Sequence, residues 1–135
     1  MTVAQKQAWY GLLVSLASCV LVASLWPWLG PIAQAGFGVL GLHGLTPWLF
    51  RRRTSGVTWD ERDTAIQRRS IVVAYAVFWL VFVLTCVSLP LVYGWSGAVP
   101  VPLVQASVWL AWVLITVVNS SATLVQYGRE AHGAA

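Results

Sequence analysis

Residues 71–92 read IVVAYAVFWLVFVLTCVSLPLV, an uncharged and strongly apolar run. A transmembrane α-helix needs about 20 such residues, because each adds about 1.5 Å along a hydrocarbon core about 30 Å thick. The run also lacks the alternation of apolar and polar side chains that is typical of a barrel strand. It therefore predicts a helix that crosses a membrane.

Three further uncharged runs reach the same length, at about 8–28, 31–50 and 102–125. Charged residues make up 9% of the chain, against about 25% in an ordinary soluble domain. We therefore predict a single all-α integral membrane domain over residues 1–135. Its four transmembrane helices would form an up-down antiparallel bundle.

The basic residues predict the orientation of this bundle. Six of the eight lie in the predicted loop 51–70, Lys6 precedes the first span, and Arg129 follows the last. Cytoplasmic loops carry the excess of Lys and Arg in membrane proteins, so both termini and the loop are predicted to be cytoplasmic. The net charge of +4 thus indicates topology and contact with anionic lipid, and not nucleic-acid binding. A lipoprotein-like cleavage site before Cys19 is disfavoured, because the chain stays apolar beyond it.

The loop contains a helix start. Thr58 and Glu61 have the spacing of a capping box, which predicts one helix from about Trp59 to Leu89 that extends the third span into the cytoplasm. Its charged beginning is either a topology signal alone or a docking surface. The predicted partner-binding residues are Trp59, Asp60, Glu61, Arg62, Asp63, Ile66 and Arg69. The predicted lipid-headgroup residues are Arg51, Arg52, Arg53 and Arg68.

His43 is the one ionisable side chain of the predicted spans other than tyrosine and cysteine. Such groups are the default functional candidates in a membrane protein. The alternatives are a neutral histidine bonded to a neighbouring helix and a functional group, either one that responds to protons or a ligand of a metal or haem. If the bundle binds a small molecule, Gln34, His43 and Trp79 would line the cavity. Gly38, Gly41 and Gly44 recur every third residue and predict a shallow face suited to helix packing.

The sequence lacks the patterns on which catalysis depends. It has no phosphate-binding glycine loop with lysine and no His-Glu-x-x-His pair. The predicted spans hold no Asp or Glu, whereas a proton-coupled exporter relies on a buried carboxylate. We therefore predict a protein that is not an enzyme and has no cofactor or metal site.

The segment Asp60-Glu61-Arg62-Asp63-x-x-Ile66-x-x-Arg69, followed directly by an apolar helix, resembles a family of small bacterial integral membrane proteins of unknown function. The resemblance implies a four-span layout with a cytoplasmic Asp-Glu-Arg motif before the third helix. It also implies a place in the bacterial cytoplasmic membrane and a signalling or accessory role at most.

Three hypotheses for the function follow. The first is an accessory or regulatory membrane protein that acts through helix packing, with itself or another membrane protein, and through the docking helix. The second is a bundle that binds lipid, quinone or another small molecule. The third is an immunity protein against a membrane-active toxin.

Overall fold

The computed structural model describes residues 2–50 and 61–133, with side chains as far as residue 129. All regular structure in this part of the chain is helical, which confirms the predicted all-α class. In chain order the elements are α1 (Val3–Leu29), a 3₁₀ helix (Gly30–Leu45), α2 (Thr46–Leu49), α3 (Glu61–Tyr93) and α4 (Val101–Gly133).

Three helical segments of the described ranges are long and apolar enough to cross a membrane: Val3–Leu49, Glu61–Tyr93 and Val101–Arg129. The sequence predicted four. The difference arises because the chain passes from α1 into the 3₁₀ helix without a non-helical break. Gly30 joins the two with a φ of +55°, a backbone region that glycine adopts at little cost.

The first of these segments is folded back on itself. The Tyr10 hydroxyl donates to the Leu42 carbonyl oxygen at 2.8 Å, and Gly36 lies against Leu21 and Val22. Low residue numbers in α1 thus meet high numbers in the 3₁₀ helix. The two arms are therefore antiparallel neighbours.

Helix α4 packs against both α1 and α3. Its contacts with α1 run in opposite directions along the two helices, since Ala4 clusters with Tyr127 and Gly11 lies against Ser120. One series of buried residues in α1 alternates in spacing between four and three, as in a coiled coil. It consists of Ala4, Ala8, Gly11, Ser15, Ser18 and Val22.

The ends of the helices differ from the predicted ones. Helix α1 begins with a capping box. The Gln5 backbone nitrogen donates to the Thr2 hydroxyl at 3.2 Å, and the Thr2 backbone nitrogen donates to the Gln5 side-chain oxygen at 2.9 Å. The capping box predicted at Thr58 lies outside the described residues. Helix α3 continues through Pro90 to Tyr93, because a proline can kink a helix without ending it.

Candidate functional site

Three helices meet at one end of the molecule, where the start of α1, the start of α3 and the end of α4 come together. Ala4, Ile66 and Tyr127 form a buried cluster there, which we call the junction. Ile66 is 2% exposed and Tyr127 is 6% exposed. The charged beginning of α3 is thus anchored to the two helices beside it.

Polar contacts fix the register of α3 against α4 at the junction. The Tyr127 hydroxyl donates to the Asp63 carboxylate. About two helical turns further into α3, the Gln126 side-chain amide donates to the Ser70 hydroxyl at 2.9 Å. Ser70 is fully buried. Because a buried polar group left without a partner is costly, these contacts favour one rotation of α3.

The structure divides the predicted partner-binding residues between two faces of α3. Asp63 and Ile66 are turned towards α4, in contact with Tyr127. Glu61, Arg62 and Arg69 are exposed. Trp59 and Asp60 lie outside the described residues. Ile66 is therefore a core residue, and a docking surface on this helix has to use the exposed set.

The predicted headgroup contacts are described for one residue. Arg68 is exposed, three residues before the apolar run begins at Ile71. Arg51, Arg52 and Arg53 lie outside the described residues. Their contact with lipid stays a prediction.

The structure does not bring Gln34, His43 and Trp79 together. The Gln34 amide donates to the Pro102 carbonyl oxygen at 3.0 Å, whereas the His43 Nε2 atom lies 3.4 Å from the Ser15 hydroxyl. Nine residues of 3₁₀ helix separate the two side chains by about 18 Å. Trp79 is 56% exposed on α3 and packs against Phe78 and Phe82 of its own helix.

Gln34 and His43 nevertheless share one face of the 3₁₀ helix. Phe37 and Leu40 lie between them at intervals of three residues and are buried. Phe37 stacks on Trp109 of α4 with ring centroids 6.0 Å apart. This face, which we call the inward row, is the contact of the 3₁₀ helix with α1 and α4. The His43 ring thus lies against a side chain of α1.

Sequence reasoning missed the small polar residues that are buried in α1 and α4. Ser15, Ser18, Ser120 and Thr123 are each at most 4% exposed. The signal was available, because residues 4 to 22 of α1 repeat small side chains with the spacing of a coiled coil. Within the described ranges, no group of three or more His, Cys, Asp or Glu side chains is placed to hold a metal ion.

Removing the Tyr127 hydroxyl should weaken the junction. Tyr127→Phe keeps the ring against Ile66 but leaves Asp63 without its donor, which we expect to cost about 1 kcal/mol of unfolding free energy. Thermal unfolding in detergent measures the loss. In an Asp63→Ala background the same change should cost almost nothing. An equal loss in both backgrounds would show that the two side chains do not interact.

Long apolar helices, small residues where helices cross, and charge gathered at the helix ends define an all-helical integral membrane protein. The chain belongs to the family of predicted membrane proteins DUF2178, whose family model matches residues 5–129. This membership confirms the resemblance to a membrane protein family of unknown function. No curated protein and no solved structure matches the chain.

Proposed function

We propose that this protein is a non-enzymatic accessory or regulatory membrane protein that binds another membrane-associated protein through the beginning of α3. One observation carries the proposal: residues 61–70 are held on one face and left open on the other. The held face contains Asp63, Ile66 and Ser70, all in contact with α4. Glu61, Arg62 and Arg69 are exposed to the surroundings.

A helix fixed in this way suits recognition because its charged side chains stand on a rigid backbone. Little conformational entropy is then lost when a partner binds. Complementary charge would set the orientation and rate of association more than the affinity. A flexible charged loop would fix the orientation of the chain in the membrane equally well. Such a loop would not need the buried contacts of Ile66.

In this proposal the chain crosses the membrane four times, with α1 and the 3₁₀ helix as separate spans. The antiparallel packing of the two arms supports that arrangement. The distribution of basic residues supports a cytoplasmic location for both termini and for loop 51–70. The membrane would be the bacterial cytoplasmic membrane. The small-molecule hypothesis has less support, because its three predicted residues lie apart.

Site-specific photocrosslinking in cells tests the docking surface. A photoreactive amino acid at Glu61 should give one discrete protein adduct, whereas the same group at the exposed Val72, within the apolar run of α3, should give lipid adducts. Replacing Arg62 and Arg69 by Glu should reduce the Glu61 adduct at least about tenfold, the effect of 1.4 kcal/mol on an equilibrium.

Two results would refute this proposal. One is recovery of lipid alone from position 61. The other is the same protein adduct from positions 61 and 72. That result would show that the captured protein does not bind the beginning of α3 specifically. Protein level and helicity of the Arg62→Glu, Arg69→Glu variant serve as the control for folding, because both arginines are exposed.

A further inference from the structure

The 3₁₀ helix is long for its kind. It runs for 16 residues, whereas 3₁₀ helices longer than about four residues are uncommon, since side chains three apart eclipse one another and the hydrogen bonds are poorly aligned. An apolar segment that crosses a membrane ordinarily forms an α-helix, which satisfies its own backbone hydrogen bonds. Something in the surroundings of residues 30–45 therefore favours the tighter winding.

The inward row supplies a reason. With three residues per turn, Gln34, Phe37, Leu40 and His43 stand in line. In an α-helix each step of three residues turns by about 300°, so Gln34 and His43 would point to opposite sides. The bond from Gln34 to Pro102 and the contact of His43 with Ser15 can form together only in the 3₁₀ winding.

The outward face supplies the other reason. Gly38, Gly41 and Gly44 form a second line at the same spacing, and a Cβ atom built on any of them would meet nothing within 4 Å. Without side chains, this line escapes the eclipsing that penalises a 3₁₀ helix. The glycines thus lower the cost of the winding that the inward row requires.

The polar contacts that select this winding are incomplete. Gln34 is 3% exposed, and its Oε1 atom is buried without a hydrogen-bond partner among the described residues. The His43 contact is long at 3.4 Å. A buried polar atom left unpaired costs free energy in the 3₁₀ form, which narrows the difference between this form and a competing one.

We propose that residues 30–45 are a membrane segment with two windings, held in the 3₁₀ form by Gln34 and His43 and able to convert to an α-helix. Conversion would shorten the segment by about 8 Å, from a rise of about 2.0 to about 1.5 Å per residue. It would also turn His43 away from Ser15 relative to Gln34. The ionisable side chain of this segment would then change its neighbours.

The separation of two spin labels measures the winding. Labels at Ile32 and Leu45, both exposed, should lie about 26 Å apart along a 3₁₀ helix and about 20 Å apart along an α-helix. The protein would carry Ala in place of its two free cysteines, Cys19 and Cys86, and would be measured in phosphatidylcholine vesicles by double electron–electron resonance.

Gln34→Leu with His43→Leu should move the main distance peak about 6 Å shorter. Gly38→Ala, Gly41→Ala and Gly44→Ala together should do the same by an independent route, because added Cβ atoms restore the eclipsing and favour the α-helix. These alanines enter open space, so folding is preserved. Thr85→Val with Ser88→Ala, which removes two hydroxyls that bond within α3, is the matched control and should leave the peak in place.

An unchanged distance in the triple alanine variant would overturn the proposal. A wild-type peak already near 20 Å would overturn it equally, because the 3₁₀ form would then not be the resting state. A shift in the α3 control as large as that in the other variants would show a general response to lost polarity, and the assignment to Gln34 and His43 would fail.

Discussion

Gly11→Leu is expected to lower the unfolding free energy by about 3 kcal/mol, the upper end of the cost of inserting bulk into a packed core. Even a Cβ atom at this position would lie 2.7 Å from the Ser120 hydroxyl oxygen and 3.5 Å from the Thr116 methyl group. The serine hydroxyl can rotate away from one carbon. It cannot make room for an isobutyl group, so α4 would have to move off α1.

The loss should appear in thermal or denaturant unfolding of the detergent-solubilised protein. Ala17→Leu is the matched control, since it adds a leucine to an exposed position of the same helix and should change the unfolding free energy by less than about 0.5 kcal/mol. Gly11→Ala should fall between the two. Equal losses at positions 11 and 17 would mean that α1 and α4 do not pack closely at Gly11.

The positions of the long helices and of the charged residues could be predicted from the sequence, because both depend on the free energy of moving side chains and backbone from water into lipid. Apolar runs without charge predict helices wherever they are long enough, because a backbone in lipid has to satisfy its own hydrogen bonds. The run 71–92 accordingly became most of α3. The position of Arg68 and Arg69 before that run follows from the same cost, since charges are excluded from hydrocarbon.

The winding of residues 30–45 depends on contacts with residues that are distant in the sequence. The period of three in Gly38, Gly41 and Gly44 is visible in the sequence, and it predicts a shallow packing face without specifying the winding. Whether it becomes a straight line depends on Pro102 and Ser15, which are distant in sequence and supply the partners of Gln34 and His43. Tertiary contacts therefore decided between two windings that the segment itself permits.

In the candidate site, too, composition predicts where the charge lies, whereas tertiary contacts determine the roles of individual side chains. Charge at the beginning of α3 was predicted from composition and is present on its exposed face. The roles of Asp63 and Ile66 were not predictable from the motif, because a residue within a charged string gives no sign of which neighbour it will meet. Both residues contact Tyr127, which is 64 residues after Asp63 and 61 residues after Ile66 in the chain.

Ile66→Ala should therefore act on stability and not on recognition. Ile66 is 2% exposed between Ala4 and Tyr127, and truncating a buried isoleucine to alanine costs about 2–5 kcal/mol, depending on how far the cavity collapses. We expect about 3 kcal/mol here, because the opposing contact is an alanine that cannot fill the space. Denaturant unfolding followed by tryptophan fluorescence measures the loss.

Ile71→Ala provides the comparison, because it makes the same chemical change one and a half turns further along α3, where the isoleucine is 40% exposed. Its cost should stay below about 1 kcal/mol, since less contact is removed. If Ile66→Ala instead left the unfolding transition in place and abolished the photocrosslink from position 61, Ile66 would belong to the docking surface. The junction would then not anchor α3, and the rigid charged face on which the proposed function rests would lose its support.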